Sequence, residues 1–359
     1  MEKIFNRILP SAIALAVGIT IVGNPAPAAA GDLDGVTLTA ATWGGSWRKR
    51  IISTVVPALT KRGAKVVFVS GNPHENLAKL VAARGNNLPF DIIEISENNR
   101  KAFIATGVLA KIDYVQVPNA KSIDPRFRQT FMTAHSSTID GIVYNTDKFK
   151  ELGLNPPAKY ADLANPKLKG RVAFPNPKVA QGIKNMVGLL YEEGGKIPDF
   201  SPALSAAKRY NFASYYTSSS KLFAQFKAGD VWAAPWHAGW AVRGRKANLP
   251  ISIVFPNVDG KKGILSNVWV GIVKGTKNSK AAHAFIESYL SLVAQEALGT
   301  LNGARPVSQV AANNLQSDPL LMELLPLTQE AISKVYFPNY DAIDFSGLAD
   351  RFNREVIAK

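Results

Sequence analysis

Residues Val36–Arg50, with the sequence V-T-L-T-A-A-T-W-G-G-S-W-R-K-R, contain a strand pattern that passes directly into a helix pattern. The glycines Gly44 and Gly45 let a ligand approach the backbone, and Ser46 is a candidate N-cap for the helix. Ligands in open α/β sheets bind beyond the carboxyl ends of strands. We therefore expect a binding turn here, with Trp43 as its aromatic wall.

The same order of elements recurs along the chain. Strand patterns at 65–69 and 90–95 each precede a helical pattern, and a second series runs from 171 to 255. Strands that alternate with amphipathic helices predict mostly parallel sheets flanked by helices. The pair Asp140-Gly141 predicts a turn, and a return strand is predicted at 263–274. We therefore expect two α/β lobes joined by two crossover strands, with ligand bound in the cleft between them.

Chain organisation follows from these patterns. Charged residues near the start precede an apolar stretch at 8–22, and the run Ala28-Ala29-Ala30 matches a cleavage site, so residues 1–30 are predicted to be a signal peptide. The remaining parts are lobe 1 (31–140 plus 268–310), lobe 2 (141–267) and a C-terminal helical segment packing on the lobes (311–359). The chain contains no cysteine, which excludes disulfides, thiolate metal sites and a lipid anchor. We expect a monomeric periplasmic protein.

The charge balance is strongly basic. Lys and Arg total 42 against 27 for Asp and Glu, a formal net charge of +15 at pH 7. Such a field attracts anions and repels polycations. The basic residues are spread out and no zinc, RNP-like or basic-zipper pattern is present, so we do not expect nucleic-acid binding.

Motifs for catalysis are absent from the sequence. No nucleophile elbow, dinucleotide loop, phosphate loop or H-E-x-x-H pattern occurs, and the four histidines have no metal-ligand spacing. We predict a protein that is not an enzyme and needs no cofactor or metal. Two alternatives stay open: a secreted enzyme on the same fold, and a ferric-ion carrier that uses the adjacent phenols of Tyr215 and Tyr216.

The six tryptophans fall at strand ends or crossings. Trp43, Trp236 and Trp269 are the predicted wall of the cleft, because aromatic rings offer apolar area and a π face to a small organic ligand. Trp47, Trp232 and Trp240 are expected to pack in the core.

The arrangement resembles the extracellular solute-binding proteins of ABC importers, in particular the spermidine/putrescine-binding branch. The resemblance rests on T-W-G-G-S-W, the strand F-D-I-I-E-I-S-E-N-N, the segment A-A-P-W-H-A-G-W, the crossing S-N-V-W-V-G-I-V and the helix K-A-A-H-A-F-I-E-S-Y-L. It implies a two-lobe periplasmic-binding-protein fold of type II. It also implies a protein that captures a small solute by closing around it and delivers it to a membrane permease.

The resemblance also implies a set of binding residues. Polyamine-binding members place acids where this chain has V-A-Q-G (179–182) and Gly271, so a polyamine ligand is in doubt. The candidate carboxylates that remain are Glu94, Glu97 and Asp341. The complete predicted ligand-binding set is Trp43, Gly44, Gly45, Ser46, Glu94, Ser96, Asn98, Tyr144, Gln181, Trp236, His237, Trp269 and Asp341.

Overall fold

The first strand, β1 (Thr37–Thr42), runs directly into helix α1 (Gly45–Thr54), as the opening stretch predicts. The computed structural model describes residues 31–83, 86–210 and 212–358, and the predicted signal peptide lies outside these described residues. The further strands are β2 (Lys65–Ser70), β3 (Ile92–Ser96), β4 (Thr133–Asn145), β5 (Ala173–Pro175), β6 (Ser214–Tyr216), β7 (Ala233–His237), β8 (Ile251–Val254), β9 (Asn257–Val258), β10 (Lys261–Lys262), β11 (Ile264–Ile272) and β12 (Arg305–Pro306).

Helices follow most of these strands. They are α2 (Val56–Thr60), α3 (Pro73–Ala83), α4 (Arg100–Ala105), α5 (Thr146–Glu151), α6 (Ala180–Glu192), α7 (Ser201–Tyr210), α8 (Ser219–Ala228), α9 (Ala238–Lys246), α10 (Ser279–Tyr289), α11 (Leu292–Ala297), α12 (Gln309–Asn314), α13 (Pro319–Leu324), α14 (Gln329–Ser333) and α15 (Phe345–Phe352). The alternation of strand and helix confirms the predicted α/β class.

Strand pairing defines two neighbouring sets of strands. In the first set β1 lies between β2 and β3 in parallel, and β11 and then β4 and β12 continue the sheet in antiparallel pairing. In the second set β7 and β8 both pair with the later half of β4. A parallel pair, β5 and β6, is joined to β7 by a parallel bridge between Val172 and Ala233.

The long strand β4 therefore belongs to both sets. The turn predicted at Asp140-Gly141 is wrong, because both residues lie inside β4 and face His237 and Trp236 of β7. A glycine is needed there for a different reason. A side-chain Cβ at position 141 would lie 2.4 Å from the carbonyl oxygen of Val254 on β8, so the glycine permits a close approach of two strands.

Buried apolar side chains form three clusters. One draws its residues from 33–134 and 269–307, and it packs around β1, β3 and α10. The other two draw theirs from 142–264 and from the C-terminal residues, with Phe352 in the second cluster and Leu321 in the third. The grouping separates early and late chain segments from the middle of the chain, while the exact lobe boundaries stay a prediction. Within the described part of the chain, no helix is both long and apolar enough to cross a bilayer.

Candidate functional site

The candidate site lies where the carboxyl ends of two sets of parallel strands come together. β1, β2 and β3 end at one edge, and β5, β6 and β7 end at another. The helix that follows β1 meets the helix that follows β7, since Ser46 Oγ accepts a hydrogen bond of 2.8 Å from Arg243 Nη1. Residues 197 positions apart in the chain are thus brought into contact at the strand ends.

The first wall of the site is the turn between β1 and α1. Trp43 is half-buried, and its ring meets that of Trp47 edge-on with centroids 5.8 Å apart. Gly45 has a φ of +64°, in the left-handed region that favours glycine. Gly44 is the N-cap of α1, so the prediction that Ser46 caps this helix is wrong. Ser46 lies one residue inside the helix, exposed, where its hydroxyl oxygen binds Arg243.

The opposite wall is built on β7 and α9. Trp236 and Trp240 stack with centroids 4.8 Å apart and an interplanar angle of 15°, and the Arg243 guanidinium lies 3.6 Å from the Trp240 centroid. Arg243 Nε donates to the Gly239 carbonyl at 3.0 Å. Burial lowers the pKa of Arg243 to about 9. No carboxylate among the described residues pairs with this guanidinium, so its charge is only weakly compensated.

His237 ends β7, and the charge of Arg243 acts on its imidazole. It has no hydrogen-bond partner among the described residues, and its ring contacts Trp240. Burial lowers the pKa of His237 well below its ordinary value, and the positive charges of Arg243 and Lys184 lower it further. The imidazole is therefore neutral at pH 7, and the electrostatic potential around it is positive.

Lys184 and Asp140 form a buried pair at the same edge. Lys184 Nζ donates to Asp140 Oδ1, and Asn185 Nδ2 donates to Asp140 Oδ2 at 3.1 Å. Burial raises the pKa of Asp140, and the attraction of Lys184 opposes that rise. Asp140 is the Cα partner of His237 between β4 and β7, so the pair lies next to the histidine.

Glu94, predicted as a ligand carboxylate, lies at the centre of a buried hydrogen-bond network in the first set of strands. It is 4 % exposed and accepts hydrogen bonds from Thr42, Tyr289 and Trp47, the last at 2.9 Å. His135 Nε2 lies 3.2 Å from Glu94 Oε1, outside good hydrogen-bond geometry. Burial would raise the pKa of Glu94, but these contacts hold it below its ordinary value.

The network includes one cation, Arg50. Arg50 is 1 % exposed and donates to Asn302 Oδ1 at 2.7 Å and to the Tyr289 hydroxyl at 2.8 Å. Burial lowers the pKa of His135, against the opposing effect of Glu94, so His135 is neutral. The Glu94 carboxylate is thus already held by several donors inside the first lobe, away from solvent.

Glu97 and Trp269 form a second buried pair on the neighbouring strands. Trp269 is 2 % exposed and its indole Nε1 donates to Glu97 Oε2 at 2.7 Å. Glu97 also accepts from Arg100 Nε at 3.0 Å, and Arg100 Nη2 donates to Asp341 at 2.7 Å. Asp341 is exposed, so this chain of contacts ends at the surface as a link between α4 and the C-terminal segment.

The remaining predicted residues are dispersed. Trp236 is 0 % exposed and belongs to the third apolar cluster, where its indole donates to Ser219 Oγ at 3.0 Å. Tyr144 packs against Phe149 in the second cluster. It lies on β4, four residues after Asp140. The other three lie at the strand ends: Ser96, whose hydroxyl donates to Asn99; Asn98, whose buried side-chain oxygen has no partner; and Gln181, in the first turn of α6.

Sequence reasoning missed Arg243, Lys184 and Asp140. Trp240 and Arg243 stand three residues apart in α9, so their helical spacing was a visible signal that both lie on one face of that helix. The pairing of Lys184 with Asp140 joins positions 44 residues apart and leaves no local pattern.

The described residues give no support to an iron site. No group of three or more His, Asp or Glu side chains in this part of the chain is arranged to hold a metal ion. Tyr216 is buried and its hydroxyl donates to the Pro235 carbonyl at 2.6 Å, whereas the Tyr215 ring packs against Phe352 with centroids 5.3 Å apart. The two phenols therefore have separate structural partners.

A family model described as bacterial extracellular solute-binding protein matches residues 57–323. The fold is similar to that of a putative extracellular solute-binding protein from Bordetella parapertussis, with a TM-score of 0.69, 19 % identity, and coverage of 90 % of this chain and 99 % of that one.

Two ligand complexes are also similar. The PBP AgtB of A. tumefaciens R10 with agropinic acid gives a TM-score of 0.70, 19 % identity, and coverage of 90 % of this chain and 97 % of that chain. The periplasmic binding protein AfuA of Actinobacillus pleuropneumoniae with fructose-6-phosphate gives 0.71, 18 % identity, and coverage of 91 % and 100 %. At these identities the likeness shows the two-lobe fold.

Proposed function

The chain belongs to the bacterial extracellular solute-binding protein family, and from this premise we propose that it captures a small organic solute between its two lobes. It is a solute-binding protein of the kind that serves ABC transporters. The proposed partner is a membrane permease, which receives the solute from the closed form. We further propose that the protein acts in the periplasm as a monomer, without chemical change to the solute.

The observation that carries this proposal is the meeting of the β1–α1 turn with α9 at the ends of two parallel strand sets. Ser46 and Arg243 lie on opposite sides of this junction, at a hydrogen-bond distance of 2.8 Å. β4 pairs with strands of both sets and β11 runs beside its first half, and these two strands are the proposed hinge. Closure about such crossings is stabilised by a solute that contacts both lobes, because it binds the closed state more tightly.

We propose that the solute contacts Trp43, Ser46, His237 and Arg243. The half-buried Trp43 ring supplies apolar area, and the other three supply polar groups from both walls. Trp236 and Trp269 are left out of this set because both are buried and engaged with protein partners. Ser96, Asn98 and Gln181 stay in the proposal as residues of the same strand-end edges.

A polyamine fits this site poorly, although the sequence resembles the polyamine-binding branch. A buried ammonium group needs a free carboxylate beside it. Glu94, Glu97 and Asp140 already accept hydrogen bonds from protein donors, and Asp341 is paired with Arg100. Among structural relatives, the known complexes with agropinic acid and fructose-6-phosphate support a small polar solute instead.

A thermal-shift screen of the purified mature protein tests the proposal. The panel would contain amino acids, sugar acids, sugar phosphates and putrescine. A cognate solute is expected to raise the melting temperature by mass action and to change tryptophan fluorescence. Trp43→Ala should weaken binding, whereas Trp232→Ala, far from the strand-end junction, should not.

Two outcomes would overturn the proposal. Mass spectrometry that detected chemical conversion of the bound solute would favour the alternative of a secreted enzyme. Visible absorbance on addition of ferric ion, lost in Tyr215→Phe, would favour the ferric-ion carrier.

A further inference from the structure

We propose that Arg243, with His237 and Ser46, is the recognition site for an acidic group of the solute, so that the ligand is a carboxylate- or phosphate-bearing small molecule. The inference rests on the proposed function and narrows its substrate class. It depends on side chains from both walls of the junction and not on a helix terminus alone.

The positive charge of Arg243 is not compensated by an anion among the described residues. Its Nη1 and Nε donate to a hydroxyl and a carbonyl, both neutral acceptors, and no carboxylate among the described residues is paired with it. A partly buried cation without an anion is costly in free energy. An acidic solute group placed against the guanidinium would compensate that charge with charge-assisted hydrogen bonds.

The charged groups around Arg243 leave a net positive charge. Lys184 contributes another positive charge, which Asp140 neutralises through its carboxylate. His237, whose pKa both cations lower, is neutral and has no hydrogen-bond partner in the described chain. The cluster therefore carries about one net positive charge and one imidazole N–H that is free to donate. A cationic solute would meet repulsion here, whereas an anion would find donors.

The Arg243 side chain is also held in a fixed position. The Arg243 guanidinium carbon lies 3.6 Å from the Trp240 centroid, and Trp240 in turn stacks on the buried Trp236. A cation fixed in this way loses little conformational entropy on binding. Ser46 lies on the other wall, so an anion bound to both Arg243 and Ser46 would join the two lobes.

The experiment compares the mature wild-type protein with Arg243→Met and with the matched control Arg126→Gln. Arg126 is exposed and forms only a surface ion pair with Asp124. Melting temperatures are titrated with sodium phosphate, sodium malonate and putrescine, each at constant ionic strength. General salt stabilisation acts on all three proteins alike, so only the difference between proteins is interpreted.

We expect phosphate, malonate or both to stabilise the wild type and Arg126→Gln, with apparent affinity at least about tenfold weaker in Arg243→Met. Stabilisation by phosphate alone would identify a phosphate-bearing solute, and by malonate alone a carboxylate-bearing one. If Arg243→Met fails to fold, His237→Leu and Arg243→Lys provide the same comparison, since each removes N–H donors and leaves the stacked tryptophans in place.

Equal anion stabilisation in wild type and Arg243→Met would overturn the inference, as would the absence of any anion effect in the wild type. Stabilisation by putrescine, or by a neutral solute in the screen, without an anion effect would overturn it while leaving the proposed function standing. Failure of the proposed function would instead appear as chemical turnover or ferric-ion binding.

Discussion

At the scale of single residues, the aromatic side chains at the end of β7 have a role different from the predicted one. Trp236 was expected to face ligand because it ends a strand, but its side chain points into the third apolar cluster. Successive side chains on a strand face opposite sides, so position at a strand end does not decide orientation. The ring instead supports Trp240, and Trp240 supports Arg243.

Truncation of Trp240 tests this support. Trp240→Ala is expected to weaken the phosphate or malonate effect by about tenfold, because the cation–π contact that orients Arg243 is lost. Trp232→Ala is the control, since that indole donates to the Gly229 carbonyl and lies against Lys148 and Arg171, outside the candidate site. Both variants should lose stability, and only Trp240→Ala should lose anion affinity in a thermal titration. Equal losses of affinity would contradict the supporting role.

The two glycines of the opening turn differ in what they permit. Gly45 has a positive φ, so Gly45→Ala is expected to lower the free energy of unfolding by about 1 kcal/mol. Gly44 has extended backbone, and a Cβ there would lie 3.6 Å from Ser70 Oγ, an ordinary contact. Gly44→Ala should therefore cost little. Urea unfolding at pH 7 measures both, and equal costs would show that the left-handed conformation is not required.

The neutral state of His237 predicts a dependence of stability on pH. Its folded pKa is lowered from the ordinary value of 6.5 by burial and by Arg243 and Lys184, with Asp140 the nearby acid. Below pH 6.5 the unfolded chain binds a proton that the folded chain does not, so this histidine's contribution to stability is present above pH 6.5 and is lost as the pH falls.

The expected slope is at most about 1.4 kcal/mol per pH unit. His237→Asn should therefore show a shallower loss of stability between pH 6.5 and 5 than the wild type, as measured by urea unfolding. A slope unchanged in His237→Asn would mean that this histidine binds protons equally in the folded and unfolded chain.

At the scale of elements, the strands predicted with bounds lie within about two residues of the observed ones, because periodicity and turn residues are local signals. The strand predicted at 65–69 is β2, and the strand predicted at 263–274 is β11. The failure at Asp140-Gly141 has a physical reason. An Asp-Gly pair is typical of turns, but here glycine allows β8 to pass close to β4, a contact with no trace in local sequence.

Only part of the candidate site could be predicted from the sequence, because contacts between distant segments leave no local pattern. The turn at Trp43–Ser46 lies at a strand end, so local pattern identified it. Arg243 was missed because its importance comes from Ser46 and from the stacked tryptophans, which meet it only in the folded chain. Glu94 and Trp269 were predicted at the surface of the cleft, whereas their hydrogen-bond partners hold them in the interior.

Substitution of Gly141 tests whether β8 must pass close to β4. Gly141→Ala places a methyl group 2.4 Å from the Val254 carbonyl oxygen and 2.9 Å from Phe255 Cδ1. We expect a loss of about 1–3 kcal/mol in the free energy of unfolding, because backbone cannot move aside as a side-chain tip can. Urea unfolding of Gly44→Ala gives the control. A neutral result for Gly141→Ala would show that β8 can move away from β4.

At the scale of the whole molecule, two polar links join chain segments that belong to different apolar clusters. Ser46 is linked to Arg243, and Arg100 is linked to Asp341 at 2.7 Å. Asp341 is exposed, so the second ion pair contributes little to stability and can open at small cost. Both links favour a closed arrangement of the proposed lobes.

Asp341→Asn is expected to shift the ligand-free protein towards open forms. Spin labels attached at Lys61→Cys and Lys169→Cys, both exposed positions, would report the distance between lobes, and the cysteine-free chain makes the labelling specific. The distance distribution should broaden towards longer distances in Asp341→Asn. The surface variant Asp124→Asn should leave it unchanged, since its Arg126 pair lies within one lobe. Identical distributions in all proteins would show that the Arg100 link does not influence closure.

The continuity of β4 sets a limit on how such a chain can be altered by recombination. One strand provides hydrogen bonds to β11 and β12 with its first half and to β7 and β8 with its second. Inserting a single residue near Thr138 would turn every later side chain of the strand to the opposite face. Chimeras that exchange one half of this protein with a relative should therefore join within loops or helices. A junction inside β4 would have to preserve the parity of its length.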